Sequence, residues 1–155
     1  MKTKPLYMET TVISPDRTAG EITSLLVASG ARSIAMDYGE RGKIIGMHFV
    51  LMVRGVPHPF KMPIRTEPVF QILNGRRKSW DRSASAEKDR EQAERVAWRQ
   101  LLRWVQVQMA MVDCGMAQAR EVFAPYLLHP TGMTLFEYLE ETRFKALPPP
   151  EAKEA

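Results

Sequence analysis

Ile45, Met47, Phe49, Leu51 and Val53 are all apolar, while the positions between them, Ile44, Gly46, His48, Val50, Met52 and Arg54, are mixed. Successive side chains of a strand point to opposite faces, so residues 43–53 read as a strand with one core face and one half-buried face. Shorter alternations flank it. Ile34, Met36 and Tyr38 mark a strand over 33–38. Phe60, Met62 and Ile64, with Lys61, Pro63 and Arg65 opposite them, mark another. Prolines at 57, 59 and 63 assign this last strand to a sheet edge. Residues 39–42 and 55–58 are the turns between them, and β-branched and aromatic residues over 7–13 predict a first strand.

Elsewhere the period is helical. Ser14-Pro15 gives a cap followed by proline at the first helical position, and Thr18 to Glu21 gives capping-box spacing. A helix starts at one of these two places, buries Ile22, Leu25 and Leu26, and ends at Gly30. Residues 66–74 form a short helix, with Thr66 as cap and Val69, Phe70, Ile72 and Leu73 as its apolar set. Small polar residues at 83–85 extend the loop after it, which is expected to be mobile. One long helix follows over 85–114. Its front, 87–95, is charged and spaces Arg90–Glu94 and Glu91–Arg95 for ion pairs. Its back, 96–111, is broadly apolar and needs cover on more than one side. Gly115 ends it, Pro125 interrupts the next helix, 129–132 is a turn, and Thr134 to Glu137 caps a last helix whose apolar side is Leu135, Phe136, Tyr138, Leu139 and Phe144.

These elements predict an α+β fold: a small, mostly antiparallel sheet in the order β-α-β-β-β, then a helical half with the long helix packed on the sheet. A chain of 155 residues suits one domain, placed at 1–147, with a disordered Pro/Glu tail at 148–155. No apolar run approaches the ~18 residues of a membrane span and no signal peptide is present, so the expected compartment is the cytoplasm.

Charge changes the picture in one place. Residues 1–60 hold seven Lys or Arg against five Asp or Glu, residues 61–104 eleven against six, and residues 105–155 four against seven. The basic middle suits a polyanionic partner. Within it, Arg76, Arg77, Lys78 and Arg82 surround Trp80, and Arg95, Arg99 and Arg103 recur at steps of four on the long helix. Arg99 and Arg103 lack a carboxylate three or four residues away. Lys61 and Arg65, on the outer face of the sheet, extend the cationic set. Cations that follow phosphates and a ring on which bases stack are what single-stranded nucleic acid requires. Trp98 is placed between stacking and core, and Trp104 in the core.

Catalytic patterns are weaker. His48, His58 and His129 lie far apart without metal-ligand spacing, and Cys114 is alone. Gly39 to Lys43 lacks the glycine spacing of a phosphate loop, and Asp37 with Glu40 is a poor acidic pair for a metal-dependent nuclease. The expectation is therefore a non-enzymatic protein without cofactor or metal.

The run from Asp89 to Arg99, with Glu121 to Leu128 and Thr134 to Glu137 after it, resembles small uncharacterised proteins encoded by bacteriophages and viral metagenomes. The resemblance spans most of residues 7–145 and implies a context, host cytoplasm among genes handling DNA, rather than a chemistry. It favours single-stranded DNA, with RNA also open, as the partner. It equally favours a protein-interaction or inhibitor module acting on a host protein through the apolar helix face 96–111, with homo-oligomerisation as a further option.

Overall fold

The computed structural model describes residues 4–145; the tail predicted at 148–155 lies outside them. The first helix, α1 (Pro15–Ala28), starts at the earlier of the two caps, where the Ser14 hydroxyl accepts from the Arg17 amide at 3.3 Å. Three strands follow: β1 (Ala31–Tyr38), β2 (Ile44–Val53) and β3 (Val56–Pro63). They form an antiparallel sheet in the order β1-β2-β3, so β3 is at an edge as its prolines require. The second turn is shorter than the sequence suggests. Arg54 and Gly55 make it alone, both at positive φ (51° and 77°), the two-residue geometry whose twist matches a hairpin.

Residues 7–13 are not a strand. They run as turns before α1, so the order is α-β-β-β-α rather than β-α-β-β-β. β-branched residues supply propensity only, and the carbonyls of Tyr7, Glu9 and Thr11 are taken by Gln100 and Gln92 of the long helix instead of a strand. One residue of the main strand also departs from its alternation. Met47, Phe49 and Leu51 are buried, but Ile45 is half exposed where β2 begins.

The remaining helices are α2 (Glu67–Gly75), α3 (Arg82–Asp113), α4 (Ala119–Phe123) and α5 (Leu135–Glu141). α3 starts at Arg82, so residues 83–85 belong to its first turn rather than to a loop. Asp81 secures that turn by accepting from the Ser85 hydroxyl at 2.8 Å. Thr66 precedes α2 without a side-chain capping bond, whereas Thr134 and Glu137 complete the predicted box on α5. α5 buries little: Phe136 stays exposed, and Phe144, predicted on its apolar side, lies beyond its end and is exposed as well.

The core lies on one face of the sheet. Met47 and Phe49 of β2 stand opposite Met62 and Phe60 of β3, and over them pack Ala19, Ile22 and Leu26 of α1, Trp98, Leu102, Val105 and Met109 of α3, and Phe123 of α4. Phe49, Phe60 and Phe123 form an aromatic cluster with centroids 5.2 to 5.8 Å apart. Trp98 is core, with 1% exposure, and is no stacking platform. Trp104 is partly buried, edge-on to Phe123 and Tyr126. The back half of α3 thus spends most of its apolar surface within the chain. Among the described residues no helix is long and apolar enough to cross a membrane.

Candidate nucleic-acid interface

The corner between α2 and α3 brings part of the predicted cationic set together. Arg76 and Arg77 leave the end of α2, Lys78 to Asp81 turn the chain, closed by the Asp81 amide donating to the Lys78 carbonyl at 2.9 Å, and Arg82 opens α3. Trp80 stands on this turn with 77% of its surface exposed. Lys78 and Arg82 flank it, also exposed. The sequence offers Trp80 as a candidate for an exposed ring without deciding it, and its place on a short turn among charged residues leaves most of the indole uncovered.

Several of the arginines beside it are already engaged. Arg77 donates from Nε and Nη2 to the two oxygens of Asp89, at 3.1 and 2.8 Å, and from Nη1 to Asp81 at 3.4 Å. The Asp89 side chain is 6% exposed. The Arg77 guanidinium, assisted by the Asn74 amide, holds its carboxyl below the usual aspartate range despite the opposing effect of burial. Arg82 donates to the carbonyls of Arg77 and Gly75, at 3.2 and 3.4 Å, and so closes the end of α2. Arg76 pairs with Glu9 at 2.7 Å, and this hydrogen bond pulls the Glu9 carboxyl below its ordinary value.

The helix stripe is divided. Arg99 is 6% exposed and pairs with Glu21 of α1 at 3.0 Å, so it is a structural residue and not an outward cation. The missing carboxylate lies 78 residues away in sequence, beyond the reach of a helical-spacing argument. Arg95 and Arg103 flank it, each bonded to a glutamine of its own helix: Gln92 at 2.9 Å and Gln106 at 2.9 Å. The two predicted ion pairs along the helix do not form either. Arg90 turns to Glu67 at 3.3 Å and lies 3.9 Å over the Phe70 ring, and Glu94 takes Lys43 at 2.7 Å.

Residues 4–13 supply what the sequence reading missed. They cross the front of α3 as a strap, and side chains below them hold their backbone: Gln92 donates to the carbonyls of Glu9 (2.7 Å) and Thr11 (2.9 Å), Gln100 to that of Tyr7 (2.8 Å), and Arg76 to that of Lys4 (2.8 Å). Between strap, α2 and α3 lies a cleft of about 540 Å³, whose lining carries Arg76, Arg77, Lys88 and Arg95 against Glu9 and Asp89. Among the described residues, neither Lys88 nor Arg95 has a carboxylate within 4.0 Å.

Lys61 and Arg65 lie away from this corner. Both help the Thr134 amide depress the Glu137 carboxyl, and Arg65 sits 5.9 Å over Phe136. Neither lines the cleft at this corner, but Arg65 lines a groove with Val69 of α2 and Gln100, Leu101 and Trp104 of α3. On the outer face of the sheet Asp37 and His48 pair at 2.8 Å. Glu40 stands apart in the following turn, and among the described residues no three side chains come together as metal ligands. Comparison with known proteins adds no further constraint: no family model, curated protein or solved structure matches the sequence.

Proposed function

We propose that the protein binds single-stranded nucleic acid, DNA in the first instance, through the α2–α3 corner and without catalysis. The observation that carries this reading is Trp80: an indole 77% exposed on a tight turn, flanked by Lys78 and Arg82. An exposed aromatic among cations is a stacking platform, worth ~1–3 kcal/mol per base. Arg95, Lys88 and Arg103 offer phosphate contacts along α3; Arg76, Arg77 and Arg82 shape the corner. Fluorescence anisotropy with labelled DNA and RNA oligonucleotides of one sequence tests the reading. Affinity should fall steeply with salt as counterions are released, and Trp80→Ala should weaken it by about tenfold or more while Trp80→Phe retains most of it. Failure to bind at low salt sinks the proposal.

A second reading, a protein-interaction module acting on a host protein or on a second copy of the chain, is favoured by one feature. A groove of about 330 Å³ between the end of β3, α2 and α3 exposes parts of Ile64, Leu101, Trp104 and Tyr126. Light scattering, with a host-lysate pull-down alongside inert oligonucleotides, separates the two.

A further inference from the structure

The strap over α3 is attached largely through its own backbone carbonyls. None of its residues belongs to the buried core, whose first member in sequence is Ala19, and it leaves Tyr7 63% and Val12 89% exposed. Met8 holds φ at 62°, a left-handed conformation that an L-residue adopts at a cost. Its specific ties are polar, the glutamine and arginine bonds to its carbonyls and the ion pair of Glu9 with Arg76, and of its apolar side chains Leu6, Met8 and Ile13 are only half-buried. A segment with few apolar contacts opens at far less than the global free energy of unfolding.

Beneath it lies a surface suited to phosphate. Lys88, Gln92 and Arg95 stand at i, i+4 and i+7, on one face of α3. Of the two carboxylates in the cleft, Asp89 is buried and held by two bonds from Arg77, whereas Glu9 meets Arg76 through one nitrogen and takes its other bond from the Leu6 amide within the strap. Asp89 therefore stays and Glu9 is the anion that can be exchanged.

We propose that residues 4–13 are a displaceable strap in which the Glu9 carboxylate holds, on Arg76, the place a nucleic-acid phosphate takes in the complex. This rests on the nucleic-acid reading above and adds a regulatory step to it. Strand entry replaces one anion by another on Arg76, and strap opening frees the Gln92 amide and uncovers Arg95 beside the already exposed Lys88. The free protein thereby masks part of its own binding face, and weak polyanions that cannot displace Glu9 are excluded.

The test compares the full-length chain with two variants of equal charge change: Glu9→Gln on the strap and Glu91→Gln on the exposed side of α3. Glu9→Gln should tighten oligonucleotide binding about fivefold or more, and Glu91→Gln less than twofold. Gln92→Ala, which releases two strap carbonyls, should raise hydrogen exchange at the Leu6, Glu9 and Thr11 amides in the free protein, because their bonds lie within the strap and single turns do not persist once detached. Oligonucleotide should raise exchange at the same amides in the wild type. Equal affinities for the two charge variants, or strap amides unchanged or more protected in the complex, overturn the strap while leaving the nucleic-acid reading intact. If neither wild type nor Glu9→Gln binds oligonucleotide, that reading fails, and inorganic pyrophosphate decides the strap. Faster exchange at those amides on adding pyrophosphate supports it, and no change overturns it.

Discussion

From Arg82 to Arg95, the partners of α3 are mostly charged and polar groups of the strap, α2 and the β1–β2 turn, whereas from Val96 to Met109 they are mostly apolar side chains of α1, the sheet and α4, with Arg99 and Gln100 as polar exceptions. Both halves are the same uninterrupted helix. The back half is fixed by burial, which is non-directional and tolerates small shifts. The front half is fixed by hydrogen bonds and ion pairs that need particular partners in particular places. A surface held that way can exchange one partner for another, and a packed core cannot.

The sharpest contrast is between the tryptophans. Trp98→Ala should cost about 3–5 kcal/mol in denaturant unfolding, because it empties a fully buried site. A loss below about 1 kcal/mol would break the division between halves. Next comes the pair that joins the core to α1. The Arg99 side chain is 7% exposed and that of Glu21 is 38%, so the two partners are not equivalent. Glu21→Ala strands a buried guanidinium and should cost about 2–3 kcal/mol, whereas Arg99→Met leaves a carboxylate that water reaches and should cost about 1 kcal/mol. The reverse ranking would show that Arg99 is not held as a buried charge.

Asp89 tests the front half through pH. Its folded-state pKa is depressed, chiefly by the hydrogen bond from Arg77. The stabilisation is therefore fully present above the unfolded value, about 3.9, and is lost as pH falls through the lower folded value. Asp89→Asn should be less stable than wild type at neutral pH, with the difference closing below about pH 4; a gap independent of pH contradicts the assignment. The smallest effect on stability is expected at Trp80. Its replacement by alanine should change unfolding by no more than about 0.5 kcal/mol, so that any loss of oligonucleotide binding reports contact rather than folding.

Much of this was legible in the chain. The alternation at Met47, Phe49 and Leu51, the Ser14-Pro15 start and the Thr134 to Glu137 box all follow from local rules, which also mark Trp80 as a candidate for an exposed ring. What was not legible depends on partners distant in sequence. Residues 7–13 have strand propensity but pair with no strand, and Arg99 counts as free only while Glu21 is out of view. Arg90 and Glu94 are spaced for each other, yet Glu67, Phe70 and Lys43 compete successfully for them. Pairs along a helix contribute only about 0.3–0.5 kcal/mol, so better-placed partners on neighbouring elements easily outbid them.

The bonds that pin the strap and α1 to α3 also bear on the order of folding. They join residues 78 to 93 positions apart, whereas the β1–β2 and β2–β3 hairpins close through adjacent turns. Closing the longer loops costs more chain entropy, so the hairpins should assemble first and the amino-terminal elements dock last. During synthesis, Ile22 and Leu26 emerge long before the α3 surface that covers them. Glu21→Ala should then accelerate unfolding while leaving the refolding rate nearly unchanged. A chevron in which the refolding limb moves instead would place α1 in the folding nucleus.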